Sequence, residues 1–187
     1  MLIFKKISNF ADLIIATLMT KEEKYKELQA QITSLIEGET DTVSVMANVV
    51  AAIHEAMGFF WTGFYIEKGG MLCLGPFQGP VACYRIKHGK GVCGTAYERR
   101  ATVVVPDVEQ FPGHIACSSL SRSEIVVPVF RSSESLESSE SSENSECSEN
   151  SEILAVLDID SRELGTFDDT DRQYLESIMA IVAPHLC

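Results

Sequence analysis

Apolar residues recur along this chain at helical spacing, then at strand spacing, then at helical spacing again. Thr20-Lys-Glu-Glu23 has the form of a capping box and opens an amphipathic helix that runs to about Glu37. A second helix starts at Asp41 or Thr42 and runs through Met57, with Val45, Val49, Ala52, Ile53 and Ala56 on one face. Strands follow at Phe59–Glu67 and Met71–Gly75, joined by a tight hairpin turn across Lys68-Gly69-Gly70. Further strands are predicted at Tyr84–Lys87 and Thr102–Val105, and Gly91–Ala96 reads as a turn entering a short helix. Glu124–Phe130 and Ile153–Ile159 read as buried strands. A last helix spans about Asp168 to His185, burying Tyr174, Leu175, Ile178, Ile181 and Val182. The expected class is α+β, a central antiparallel sheet flanked by N- and C-terminal helices in a single domain over residues 1–187. Met1–Met19 places Lys5 and Lys6 before an apolar stretch. Asn9 and Asp12 interrupt it and no small-residue cleavage site follows, so it reads as a helix packed on the domain rather than a targeting signal.

Composition changes the picture at one place. From Ser132 to Glu152 the chain reads as seven triplets, each ending in glutamate, without a lysine or arginine. A period of three gathers an apolar face on neither a helix nor a strand, and one leucine cannot offset the entropy of ordering. An acidic, disordered loop is expected, inserted at the tip of a hairpin formed by the strands on either side, where added length is tolerated. Without its seven glutamates the formal charge of −12 falls to −5, from 20 acids against 15 bases. An acidic chain is repelled by nucleic acid and by anionic membrane surfaces, so neither is expected as a partner. No apolar run approaches the length of a membrane span.

Six cysteines, at 73, 83, 93, 117, 147 and 187, lie in a chain with ample Val, Ile and Leu. That fits a reducing, cytoplasmic setting better than a secreted disulfide framework. Cys83, Cys93 and Cys117 fall in loop contexts on the strand-rich half, where a rigid scaffold aims reactive groups. Around Cys117 the run from Gln110 to Ser119 is rich in turn formers, with His114 three residues before the thiol. A helical turn over Ile115–Ser119 would set Cys117 near an N-terminus, which lowers a thiol's pKa. His114 would add positive charge there or bond to the backbone. Each cysteine could equally be inert core. Cys83, Cys93, His114 and Cys117 together offer zinc ligands, but they lack the C-x2-C knuckle, so no metal is expected. Asp158 and Asp160 alternate onto one face at the end of an apolar strand. Unless that strand simply runs out into solvent, they need a cation or a shared proton. Glu124 opens the preceding strand and would join them, making a cage for an ammonium group or a proton source for a leaving oxygen.

Seven motifs occur in one order: Gly63-Phe-Tyr65, Leu74-Gly-Pro-Phe-Gln-Gly79, Gly91-Val-Cys-Gly-Thr-Ala96, Pro106-Asp-Val108, Phe111-Pro-Gly-His-Ile-Ala-Cys117, Ser123-Glu-Ile-Val-Val-Pro128 and Leu157-Asp-Ile-Asp-Ser161. Together they closely resemble the free methionine-(R)-sulfoxide reductase family, whose members have a GAF-type domain. The resemblance runs from about Met57 to the C-terminus apart from the triplets, and the preceding residues agree only as a helical pattern. It implies Cys117 as the nucleophile on the sulfoxide sulfur, Cys83 as the resolving cysteine and Cys93 as a second thiol in or near the relay. It implies that Glu124, Asp158 and Asp160 hold the substrate ammonium, with Glu124 or Asp160 protonating the oxygen. Trp61 and Tyr65 would wall the S-methyl group, and the backbone at Ile115 and Ala116 would meet the carboxylate. Free methionine-(R)-sulfoxide would be the substrate and thioredoxin the reductant, with no cofactor, and a homodimer would be possible. The alternatives are a non-catalytic GAF sensory module that binds a small ligand, or an inactive relative acting through its acidic repeat. Two positions depart from the family: Ser118 stands where an aspartate is expected, and Ser151-Glu152 replaces a glycine-containing turn. Any distortion from the insert is expected to stay at the hairpin tip, away from the acids.

Overall fold

Each of the first two helices among the described residues is closed at its start by a side chain the sequence supplies. In the computed structural model, which describes residues 19–115, 118–131 and 151–186, the Thr20 hydroxyl accepts from the Glu23 N–H and the Glu23 carboxylate accepts from the Thr20 N–H, completing the capping box of α1 (Lys21–Ile36). Asp41 caps α2 (Thr42–Met57), which stops at Gly58 in the left-handed conformation. The expected helix over Met1–Met19 lies almost wholly outside the described residues, as do residues 132–150 of the acidic stretch and Cys147 and Cys187.

The chain then continues through β1 (Trp61–Glu67), β2 (Met71–Gln78), β3 (Arg85–Lys87), α3 (Gly91–Arg99), β4 (Val103–Val105), β5 (Ser123–Phe130), β6 (Ile153–Ser161) and α4 (Asp169–Val182). Among the described residues six strands form one sheet in the order β3-β2-β1-β6-β5-β4, with every neighbouring pair antiparallel. This is the α+β class expected. β2 runs past Gly75 because Pro76 falls in the irregularity between the Gly63–Phe77 and Tyr65–Leu74 pairs and beyond the end of β3, where no ladder bond is asked of it.

Strand alternation sorts side chains onto two faces. Phe64, Ile125, Val127, Ala155, Leu157 and Ile159 pack beneath α1, α2 and α4 in the larger core. Trp61, Tyr65, Val126 and Val156 point the other way, toward α3 with its buried Val92, Cys93 and Ala96. Cys93, expected in a loop, is therefore on the buried side of a helix, because the turn at Gly91 leads straight into α3.

On the helical side, the Tyr25 hydroxyl donates to Asp171 at 2.8 Å, and Lys21 pairs with both Asp168 and Asp171. These contacts fasten α1 to the start of α4. β5 and β6 form the expected hairpin. Its one register shift lies between Val129 and Phe130 at the tip, and the Arg122 N–H donates to the Ser161 carbonyl at 2.7 Å at the other end.

Candidate active site

The β5–β6 register brings the three acids together. Glu124 faces Asp160 and Val126 faces Asp158 across that pair, while on the other side Asp160 is paired with Trp61 and Asp158 with Gly63. Period-two alternation therefore puts Glu124, Asp158 and Asp160 on the same face as Trp61 and Tyr65, and all five line one pocket with Cys93. Gly63 makes room for this. A Cβ there would lie 2.4 Å from Trp61 Cη2 and 2.5 Å from Phe77 Cβ, so only glycine lets the indole lie back over the strand. The ring stacks between Tyr65 and Phe77, with centroids 6.0 and 5.5 Å away.

Burial sets the electrostatics. Glu124 and Asp158 are each 6% exposed. Burial first, and then the charges of the neighbouring acids, push both carboxyls well above their usual range. Asp160 is raised by burial to about 6, opposed by a hydrogen bond from Ser121. The Asp158 Oδ1 atom is buried without a hydrogen-bond partner among the described residues. Cys93 Sγ stands 4.0 Å from Glu124 Oε1, and burial with the Asp158 and Glu124 charges pushes its thiol well up, so it is held as the neutral S–H. His114 Nε2 lies 4.0 Å from Glu124 Oε2, and burial lowers its pKa, favouring neutral imidazole over the positive charge that is one of its two expected roles. The described pocket thus holds an excess of acid without a fixed cation. Such a site can retain protons, or accept a positively charged group of the right size.

The aromatic wall also holds a loop. Trp61 Nε1 donates to the Pro80 carbonyl at 3.0 Å, and the Tyr65 hydroxyl donates to the Cys83 carbonyl at 3.1 Å. Gly79, at φ +124°, begins this loop so close to the indole that a Cβ would lie 2.7 Å from Trp61 Cδ1. Cys83 is disulfide-bonded, whereas Cys73 and Cys93 are free. Ala116 and Cys117, the middle of the helical turn expected over Ile115–Ser119, lie outside the described residues, while Ile115 and Ser118 belong to no regular element. The residues on either side of them, Ile115 and Ser118, line the pocket.

Residues 41–186 match the GAF domain family. GAF domain-containing protein A of Dictyostelium discoideum is 46% identical over 164 residues, 87% of this chain and 92% of that protein. Free methionine-R-sulfoxide reductase of Escherichia coli (strain K12) is 39% identical over 163 residues, 87% of this chain and 88% of that one. The X-ray structure of free methionine-R-sulfoxide reductase from Neisseria meningitidis in complex with its substrate aligns with a TM-score of 0.78 at 44% identity, over 90% of this chain and 91% of the other. The chain belongs to the free methionine-R-sulfoxide reductase family. It is an oxidoreductase of that family on a GAF domain.

Three pocket features had no legible signal in the sequence. Ser121, in a run of serines, is buried at the pocket and bonds to Asp160. Phe60 lines the pocket beneath the Arg162 guanidinium, 4.4 Å from its ring centroid. Phe77 sits within a motif quoted above, and only the stacking shows that it backs Trp61.

Proposed function

We propose that this protein reduces free L-methionine-(R)-sulfoxide to methionine, with Cys117 as nucleophile, Cys83 as resolving cysteine and thioredoxin as reductant. The observation that carries the reading is the convergence of Glu124, Asp158 and Asp160 in one buried pocket whose aromatic wall also holds disulfide-bonded Cys83. A free amino acid brings the ammonium group such a cage lacks, whereas methionine sulfoxide within a polypeptide carries an amide there. Three ionised carboxylates would overshoot one ammonium charge. At least one acid retains its proton, and it is the donor for the sulfoxide oxygen. Asp160 and Glu124 both suit that role. The substrate carboxylate meets the backbone at Ile115 and Ala116; Ile115 lies against Gly91 at the start of α3, whose first N–H groups have no side-chain cap. Trp61 and Tyr65 flank the S-methyl group.

The Cys117 thiolate attacks sulfur as a carboxylic acid protonates oxygen. Oxygen leaves sulfur as the cysteine sulfenic acid, methionine departs with the electron pair, and the protein carboxylate regains its proton from solvent. The Cys83 thiol then displaces water from the sulfenic acid to form the disulfide, and a thioredoxin dithiol reduces that disulfide by exchange. In this scheme Cys93, deeply buried and pushed toward the neutral thiol, lines the pocket without attacking. The free and bonded states of Cys93 and Cys83 support that division. The acidic triplets are read as a surface insertion at the hairpin tip of one domain, and the cytoplasm as the working compartment.

Thioredoxin-coupled NADPH oxidation with the separated R and S epimers of free methionine sulfoxide tests the proposal. Turnover of the R epimer alone is expected. Cys117→Ser should abolish reduction, and Cys83→Ser should release one equivalent of methionine and then stall. Absence of R turnover by folded, reduced protein refutes the activity, and multiple turnover by Cys117→Ser refutes the nucleophile.

A further inference from the structure

Cys93 faces two buried carboxyls inside the pocket. The ligand atoms of Cys93, Glu124 and Asp158 all lie within 4.8 Å of one another, and all three residues are buried. This is not the donor set that the cysteine spacing suggested, since Cys83 and Cys117 take no part in it. We propose that Cys93, Glu124 and Asp158 form a binding site for Zn2+ in the reduced protein, and that zinc bound there blocks the pocket as a reversible inhibitor.

Three observations support the site. A sulfur and an oxygen bound to one tetrahedral zinc stand about 3.5 Å apart, given Zn–S and Zn–O bonds of about 2.3 and 2.0–2.2 Å. Cys93 Sγ and Glu124 Oε1 are 4.0 Å apart, so side-chain adjustments of a fraction of an ångström bring them into range. Second, the Asp158 Oδ1 atom is buried with no hydrogen-bond partner among the described residues, a lone pair already stripped of water. Third, the three groups would carry three negative charges if all were ionised, and burial disfavours each of them. A dication neutralises most of that charge and lets the thiol and both carboxyls release their protons to solvent. The thiolate makes the site selective. Magnesium and calcium take hard oxygen donors, whereas sulfur with carboxylate and imidazole suits zinc. His114, 4.0 Å from Glu124, stands beside the cluster without being one of its three ligands.

The effect on turnover rests on the functional reading above, since zinc would take the two carboxylates assigned to the substrate ammonium. The binding itself does not rest on it. Cobalt is the probe, because thiolate ligation to Co2+ gives a near-ultraviolet charge-transfer band and tetrahedral geometry gives intense visible bands. Full-length protein carrying Cys83→Ser and Cys117→Ser, titrated with Co2+ under metal-free reducing conditions, should show both, and Zn2+ should bleach them at one equivalent. Adding Cys93→Ser should remove the charge-transfer band, and Asp158→Asn should weaken binding at least tenfold. Cys93→Ala serves as the second variant, and circular dichroism confirms folding of each. No band at millimolar Co2+, or a band that survives both Cys93 replacements, overturns the site. Free methionine should raise the apparent dissociation constant for Co2+ linearly with its concentration, as a competitor does. A Cys93-dependent band indifferent to methionine upholds the metal site while counting against the ammonium cage, so the two ideas fail separately.

Discussion

Replacing Asp160 by asparagine removes a charge that the fold holds against its preference. In the unfolded chain this carboxyl ionises near 3.8, whereas in the pocket burial raises it to about 6. The folded state therefore binds the proton more tightly, and stability falls as the pH rises through about 6. A shift of about two pKa units corresponds to roughly 3 kcal/mol lost in the ionised form. For a chain of this size each kcal/mol moves Tm by about 2–4 °C. Asp160→Asn should therefore raise Tm at pH 8 by about 6–12 °C, and by only about a third of that at pH 4.5, where the native carboxyl is protonated but the unfolded one is already mostly ionised. It also relieves Glu124 and Asp158, both of which Asp160 pushes upward. Thermal unfolding of wild type and variant, both reduced, across pH 4.5 to 8 reads this directly. On the proposed function, in which Asp160 partners the ammonium and can supply a proton, the same variant should lose at least 100-fold in kcat/KM for free methionine-(R)-sulfoxide. Parallel Tm–pH curves, or no gain at pH 8, would refute the claim that the pocket stores unfavourable charge at Asp160.

Gly63→Ala forces a methyl group into the Trp61 indole and Phe77. It should destabilise by about 1–3 kcal/mol and raise KM more than it lowers kcat, as chemical denaturation and steady-state kinetics will show. Tyr65→Phe keeps the pocket wall but deletes the bond to the Cys83 carbonyl, worth about 1 kcal/mol. Methionine release in a single turnover should be unchanged while disulfide formation slows about fivefold, measured by trapping the sulfenic acid and mass spectrometry. Tyr25→Phe deletes the hydroxyl that donates to buried Asp171 and should cost about 1.5–3 kcal/mol of stability without altering kcat.

The convergence of the acids could be read from the sequence because strand alternation is a rigid rule. Once Glu124 and Asp158 lie on adjacent antiparallel strands, parity puts Asp160 on the same face. The helix starts were equally legible, since Thr20 and Asp41 are capping residues in front of apolar repeats. Cys93 was not, because a glycine-rich turn and the first turn of a helix share the same residues, and only the packing of α3 on the sheet decides between them. Nor could sequence show that Trp61 and Tyr65 hold the Cys83 loop. Those bonds go to backbone carbonyls, which carry no residue identity.

The two ends of the β5–β6 hairpin have opposite demands, and that makes one of them an entry point for protein engineering. Glu124 and Phe130 are six residues apart on one strand, which at about 3.4 Å per residue is about 20 Å. The irregular pairing lies at Phe130, while the acids stay in strict register. A fluorescent reporter or affinity handle spliced between Arg131 and Ile153 would be carried on the rigid strand pair that frames the pocket, yet stand clear of it. Occupancy of the pocket could then be followed optically, and the hairpin would serve as the lever arm of a sensor for free methionine sulfoxide.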